Sequence, residues 1–528
     1  MSHSRMQWYF ALPVLLLGAC VLGSGIAQAQ TTTTGIPCSD IAARHLLIQD
    51  NLGAGRTLIE CGVVQGGTPD SLHGAGEDEP TVPPNVLVST NVCSNDECVR
   101  SESMVWHSLR AGDNTTVVNF NANYNAGSCY SGISYSTDGV TFHESQALCN
   151  GHGENIGDPL VVFNKKLNMW FAGDLATGCG GEGLGSWSSS DGQTWTTASC
   201  IHSGSADDRP SMWVDNNPFS RAYGRMYVSF NNFNVGGGAL YVTHSDDGST
   251  WSTPVQLSSS FIRDVQITGT PPGPPAPNAT YISTVFVAAM DEGGGGLASR
   301  QNHMMRSVDG GMTWTDVVMG PRFTPPGDGI CSSNSYFAQM NPIWRHMGWG
   351  EPGVGPGGVV HYAFAAHGAL STGDIMYTRS ADNGNTWSTP ILLNDPESNQ
   401  YQSHWMPSLS VNYNPASFTQ PEDVTVSWYD RRQATSACNV VSDPGCNYQR
   451  YGVQSSDNGQ TWGSNFAVSD QIIPEPAQND PVVVGCYAGD YDYSTALAGS
   501  AYVTWTDGRV SAGGVPIQSV EGDIVPEP

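Results

Sequence analysis

Lysine is nearly missing from this chain. Only Lys165 and Lys166 occur, and Lys plus Arg number 20 against 48 Asp plus Glu, a formal charge of −28. So acidic a surface repels phosphate backbones and anionic lipid heads, which excludes nucleic acid and an anionic membrane surface as partners. Any anionic ligand then needs a locally positive pocket. Beyond Leu22 no apolar run is long enough to cross a bilayer, so no transmembrane segment is expected. No cysteine pair has the spacing of a zinc site. No motif demands a cofactor; Ca²⁺, held by carboxylates and carbonyls of acidic loops, is the one metal the composition suits.

What is present starts with an export signature. Arg5 precedes an apolar stretch from Tyr9 to Leu22, and Ala27-Gln28-Ala29 forms an A-x-A cleavage site. Residues 1–29 therefore read as a signal peptide. Leu17-Gly18-Ala19-Cys20 gives an alternative, a lipoprotein anchor through Cys20. Either way the expected location is secreted, periplasmic or extracellular. Of 13 cysteines, Cys20 aside, twelve remain. In an exported chain an even set suggests disulfides, although sequence leaves the connectivity open. Pairing neighbours gives Cys38–Cys61, Cys93–Cys98, Cys129–Cys149, Cys179–Cys200 and Cys438–Cys446, which leaves Cys331 with Cys486.

One turn motif occurs six times. It reads Ser136-Thr-Asp138-Gly139-Val-Thr141-Phe142, Ser189-Ser-Asp191-Gly192-Gln-Thr194-Trp195 and Ser245-Asp-Asp247-Gly248-Ser-Thr250-Trp251. Three copies are one residue longer: Ser307 to Trp314 around Asp309, Ser380 to Trp387 around Asp382, and Ser455 to Trp462 around Asp457. Asp and Ser side chains bond nearby backbone N–H groups, Gly supplies a positive φ, and Thr-Trp starts a strand. From Asp to Asp the spacings are 53, 56, 62, 73 and 75 residues. That period suits a four-stranded blade repeated around an axis.

The motif resembles the Asp box, or bacterial neuraminidase repeat, of the sialidase-like β-propellers. The resemblance covers roughly residues 79–525 and implies an all-β propeller of four-stranded antiparallel blades. Counting repeats gives seven blades, with six as the alternative. The expected domains are a short N-terminal extension over 30–75, with a helix between Ser39 and Leu52, and a propeller over 76–528. The first blade is expected to begin near Glu79-Pro80 with a strand at Val86–Ser89, and the fifth near Asn341-Pro342. The tail Ile517–Val525 is expected as a closing strand. The resemblance also puts the boxes on the face away from the active site, so Asp138, Asp191, Asp247, Asp309, Asp382 and Asp457 are structural.

On the opposite face lie the loops entering innermost strands and leaving second strands. The entering set is Asp158, Asp208, Arg209, Arg263, Asp264, His404, Asp490 and Tyr491. The leaving set includes Asp174, Asp291, Glu292, His367, Asp430, Arg431, Arg432, Asp507 and Arg509. Two leaving segments echo each other, Trp428-Tyr-Asp430-Arg431-Arg432 and Trp505-Thr-Asp507-Gly-Arg509. Arg grips a carboxylate with a planar fork, and an acid of raised pKa can protonate a leaving oxygen. The candidates are Asp208, Asp430, Asp490 and Tyr491 for catalysis, and Arg209, Arg431, Arg432, Asp507 and Arg509 for substrate binding.

For function, the resemblance implies an exo-sialidase-like glycoside hydrolase acting on a glycan or glycoconjugate. Such enzymes use three arginines on the sugar carboxylate, a Tyr paired with a carboxylate, and an Asp acid/base. The Phe/Tyr-Arg-Ile-Pro signature is absent; Asp208-Arg209-Pro210 and Phe261-Ile262-Arg263-Asp264 are the nearest fragments. Two alternatives stand beside it: a non-catalytic propeller binding glycan or protein, and a polysaccharide lyase on the same scaffold.

Overall fold

The computed structural model describes residues 32–67, 84–90, 99–124, 128–273, 281–412, 421–497, 499–512 and 514–527. The signal peptide, Cys20 and the expected Cys93–Cys98 pair lie outside the described residues. No helix among the described residues is long and apolar enough to cross a membrane.

The chain is nearly all β. Most strands form antiparallel four-stranded units in which each strand pairs with the next; the first two units are joined in one nine-stranded sheet by a parallel pairing of Cys129 with Asn155, with Asp492–Tyr493 parallel to Arg100–His107 at its edge. In order, the first strands of six units are Arg100–His107, Asn155–Asn164, Asp207–Val214, Arg263–Gly269, Glu351–Val354 and His404–Asn412. A further unit is assembled from both chain ends: Thr495–Leu497, Ser500–Asp507, Ser519–Pro526 and then Val86–Leu87. The first strand of each unit packs beside the first strand of the next, and Thr495–Leu497 packs against Arg100–His107. Alternation along the buried strands feeds the interfaces between units; Leu160, Val162, Trp170 and Trp187 share one cluster with Met212 and Val228 of the following unit.

The tail is a strand, as expected. Val86–Leu87 does not open the first unit, as the sequence suggested; it adds to the outer edge of the last one, Val86 opposite Gly522. The fifth unit opens at Glu351, not near Asn341-Pro342. The N-terminal helix also shifts: it spans Leu52–Glu60. His45, at φ 55, breaks the turns before it, and Asn51, extended and accepting from the Ala54 N–H, caps the helix at its true start. Five disulfides join the expected partners: Cys38–Cys61, Cys129–Cys149, Cys179–Cys200, Cys331–Cys486 and Cys438–Cys446.

The six turns are built alike. In the second, Ser189 Oγ donates to Asp191 Oδ1 at 2.9 Å and accepts from Gly192 N at 2.8 Å. Asp191 Oδ1 then accepts from Gln193 and Thr194 N–H at 2.9 and 2.8 Å. The longer copies insert a left-handed residue, Asn383 at φ 59 or Asn458 at φ 62, before their glycine. Gly384, at φ +82, also has no room: a Cβ there would lie 2.7 Å from the Phe286 ring of the preceding unit. The turns thus fasten one unit to the next.

Candidate active site

The first strands carry charge where they begin. Glu102, Asp158 and Arg209 each sit at a register break, and each has a left-handed backbone, with φ of 48°, 64° and 51°. Such a bulge re-aims a side chain, and non-glycine residues tolerate it only where surroundings hold them. Met406 fills the same slot in the sixth unit, at φ 50. A repeated backbone device is therefore loaded with ionisable groups in three units and an apolar one in another.

These groups meet arginines from neighbouring elements and one residue from outside the repeat. Arg209 Nη1 donates to Asp50 Oδ2 at 2.9 Å, and Arg263 Nη1 donates to Asp50 Oδ1 at 3.2 Å. Arg345 Nη2 donates to the Asp50 backbone carbonyl at 2.8 Å. Arg263 also reaches Asp208 Oδ2 at 3.1 Å and Glu292 at 3.4 Å, and Arg345 Nε reaches Asp490 Oδ1 at 2.9 Å. Aromatic rings hold the guanidiniums flat. Arg209 lies 4.2 Å from the Tyr491 ring centre and 4.5 Å from that of Trp349, and Arg345 lies 4.0 Å from that of Phe337. All three arginines are buried.

The carboxylates divide by their partners. Burial alone would raise Asp50, but the guanidiniums of Arg263 and Arg209 overcome it and hold this acid below its ordinary range. Asp208 is pushed well up by burial and by the charges of Asp50 and Asp158. Glu102 is pushed up by burial and Asp490, and Asp158 by burial, Asp50 and Glu102. The arginines therefore favour the ionised form of Asp50, beside Asp208, Glu102 and Asp158, which burial and neighbouring acids bias toward the protonated form. The buried Tyr491 hydroxyl has no hydrogen-bond partner among the described residues. Oxygens of Asp50, Asp158 and Asp208 lie within 4.8 Å of one another, close enough for a cation. Arg209 and Arg263 already bond oxygens of the same set.

Of the residues singled out from sequence, Asp208, Arg209, Asp490 and Tyr491 are brought together here, with Asp158 and Arg263. Asp430, Arg432, Asp507 and Arg509 form two matching ties elsewhere. Trp428 Nε1 donates to Asp430 Oδ2 at 2.9 Å, Arg432 Nη2 reaches that oxygen at 2.7 Å, and Arg432 Nη1 reaches Asp395 at 2.9 Å. Trp505, Asp507, Arg509 and Asp470 repeat the arrangement at 2.8, 3.0 and 2.6 Å. Asp395 and Asp470 each follow the last strand of the preceding unit, so both arginines latch neighbouring units. Arg431 donates to Ser403 Oγ and lies over Trp405.

Glu102, Arg345 and Asp50 escaped sequence reading. Taking Val86 as the first strand of the first unit hid the equivalence of Ser101-Glu102-Ser103 with the entering segments of later units. Placing the fifth unit too early hid Arg345. Asp50 lies outside the repeat, and nothing in its surroundings marks it.

No family model and no curated relative matches the chain. Its fold is similar to that of several solved structures. They include the intramolecular trans-sialidase from Ruminococcus gnavus at 14% identity, covering 81% of this chain and 94% of that one, with a TM-score of 0.37. The NanB sialidase from Streptococcus pneumoniae follows at 13%, 85%, 71% and 0.39. An alpha-L-arabinanase from Penicillium chrysogenum gives 11%, 66%, 94% and 0.40. Overlaps this loose carry no argument about the site.

Proposed function

We propose that this chain is an exported, seven-bladed propeller acting as a glycoside hydrolase of the exo-sialidase type on a carboxylate-bearing sugar. The observation that carries the reading is one carboxylate, that of Asp50, with Arg209 and Arg263 on its two oxygens and Arg345 on the adjoining carbonyl. A ligand carboxylate in the same place would meet the same donors, and its charge would keep Asp208 protonated as the Asp50 charge does. Asp208 would then protonate the glycosidic oxygen as the sugar–oxygen bond breaks. Tyr491, whose hydroxyl is unengaged, would bond to the anomeric carbon and pass its proton to Glu102. After burial, Glu102 is the strongest influence on Tyr491. Water entering an open site weakens the burial that keeps Glu102 protonated, which frees it to accept. Water attack at the anomeric carbon, with Asp208 taking a water proton, would break the sugar–Tyr491 bond, and Glu102 would return its proton to the Tyr491 oxygen as it leaves, restoring all three groups.

The circuit of first strands, with Val86–Leu87 completing the last unit, supports a closed ring of seven blades over 76–528. The five disulfides suit an oxidising compartment. One observation favours the second reading, a binding module without turnover: the arginine site is filled by the chain itself.

The test is fluorophore release from an aryl α-sialoside at high enzyme concentration, beside Tyr491→Phe. Release that fails in a folded Tyr491→Phe supports the hydrolase. No release, joined to binding of acidic glycans on an array, moves the assignment to the binding module. Neither release nor binding overturns both.

A further inference from the structure

Asp50 belongs to a segment with a small core of its own. Ile36, Leu46, Ala54 and Leu58 pack together with Ile41 and Val64, and Cys38–Cys61 closes the group. All of these residues lie within 32–67, and Val64 also packs on the cluster of Val99, Tyr130 and Val484. The segment presents to the arginine site a short run of acceptors: the Ile48 carbonyl to Arg263, the Asp50 carboxylate to Arg209 and Arg263, and the Asp50 carbonyl to Arg345. Asn51 adds its amide to Asp208 Oδ1 at 2.7 Å while its oxygen caps the helix. Outer anchors add to the docking: Arg44 Nη1 on the Ser205 carbonyl, Asn334 Nδ2 on the Leu47 carbonyl, Leu52 against Val99, Tyr130 and Val484, and Gly67 N–H on the Asp480 and Val483 carbonyls.

We propose that residues 32–67 are a built-in plug, with Asp50 holding the place of a ligand carboxylate, and that anion binding at Arg209, Arg263 and Arg345 requires this segment to leave. The proposal rests on reading that site as a carboxylate site. Arg263 keeps Asp208 and Glu292 and Arg345 keeps Asp490, but Asp50 is the one carboxylate that the Arg209 side chain bonds among the described residues, and an uncompensated charge in a dry site is very costly. The plug and a carboxylate ligand therefore exchange, one for one. Occupancy follows their relative affinities, as in any two-state switch. The ligand class is an acid with a further oxygen acceptor near its carboxylate, since Arg345 grips the carbonyl and not the carboxylate of Asp50.

The experiment uses the full chain, Asp50→Ala, and the double variant Arg44→Ala/Asn334→Ala. The double variant loosens the outer anchors and leaves Arg209, Arg263 and Arg345 with the partners they have in the parent. Sodium acetate is titrated against sodium chloride at equal ionic strength, read by melting temperature and by tryptophan fluorescence, since Trp349 stacks on Arg209. Aryl sialoside turnover is measured in parallel. Asp50→Ala is expected to show a saturable acetate-dependent rise in melting temperature that the parent lacks, and turnover at least about tenfold above the parent. The double variant is expected to gain at least about threefold in acetate affinity or turnover, and carries the test if Asp50→Ala does not fold. A folded Asp50→Ala that takes no more acetate than the parent, or a double variant at parent values in both readouts, overturns the plug. Acetate uptake by the double variant above the parent, without turnover in any variant, upholds the plug and overturns the hydrolase. Turnover by the parent equal to that of a folded Asp50→Ala upholds the hydrolase and overturns the plug.

Discussion

Two sets of Asp–Arg pairs in this molecule use the same chemistry for different ends. The latches, Asp430–Arg432 and Asp507–Arg509, recur in successive units with nearly the same distances, and each reaches back to the unit before. The cluster of Arg209, Arg263 and Arg345 does not recur: each arginine comes from a different kind of position, and all bond one residue from outside the repeat. A pair that repeats with the architecture serves the architecture. A convergence that breaks the repeat has another reason to exist. The latch arginines also keep some exposure, 21% and 15% of their side chains, whereas Arg209 and Arg263 have 1% and none.

The sharpest way to break this contrast is Arg263→Ala. It strips partners from Asp50, Asp208 and Glu292 at once, and removing one member of a buried ionic set typically costs about 3–5 kcal/mol. Urea denaturation of this variant should show the largest loss, and it should fail to bind acetate in the Asp50→Ala background. Next comes Gly384→Ala in a box turn, where positive φ and the Phe286 ring both oppose a Cβ; the expected loss is about 1–3 kcal/mol with ligand binding untouched. Arg432→Ala and Arg509→Ala should each cost about 1 kcal/mol after allowance for solvent screening. They sit in separate units, so the double variant should lose the sum. A loss of ligand binding in either would place the latches in the site and end the contrast.

The smallest and broadest effect is on pH. His404 is raised to about 9: burial opposes its charge, but Asp430 and Glu397 outweigh burial. A raised histidine gives stability that is full below its unfolded value near 6.5 and is lost as pH climbs through about 9. Glu351, raised to about 8 by burial, acts in the same direction. Its folded form holds a proton that the unfolded chain gives up from its ordinary value of 4.5 upward, so stability falls from there to about pH 8. Melting temperature should therefore fall between pH 7 and pH 10, and His404→Gln should flatten the upper part of that fall. A parent curve that is flat over this range would show that these groups titrate as free side chains.

The sequence by itself determined the repeat and its fasteners. Ser, Asp, Gly and Trp at fixed offsets specify a turn through bonds that span only a few residues, so six turns, and the strands they start, were readable one by one. The disulfide partners were readable too, because most lie close along the chain. Part of the site was also visible, since Asp208-Arg209-Pro210 and Gly489-Asp490-Tyr491 stand at recognisable strand starts. Only the tertiary structure decided which charges meet. Val86–Leu87 joins the far end of the chain, which shifts the first unit by a strand and brings Glu102 inward. Arg345 enters from a loop before the fifth unit, and Asp50 arrives from outside the repeat. Hydrogen bonds within a turn are local and leave a pattern in the sequence. Convergence of charges depends on how distant strands close on one another, and no short stretch of residues encodes it.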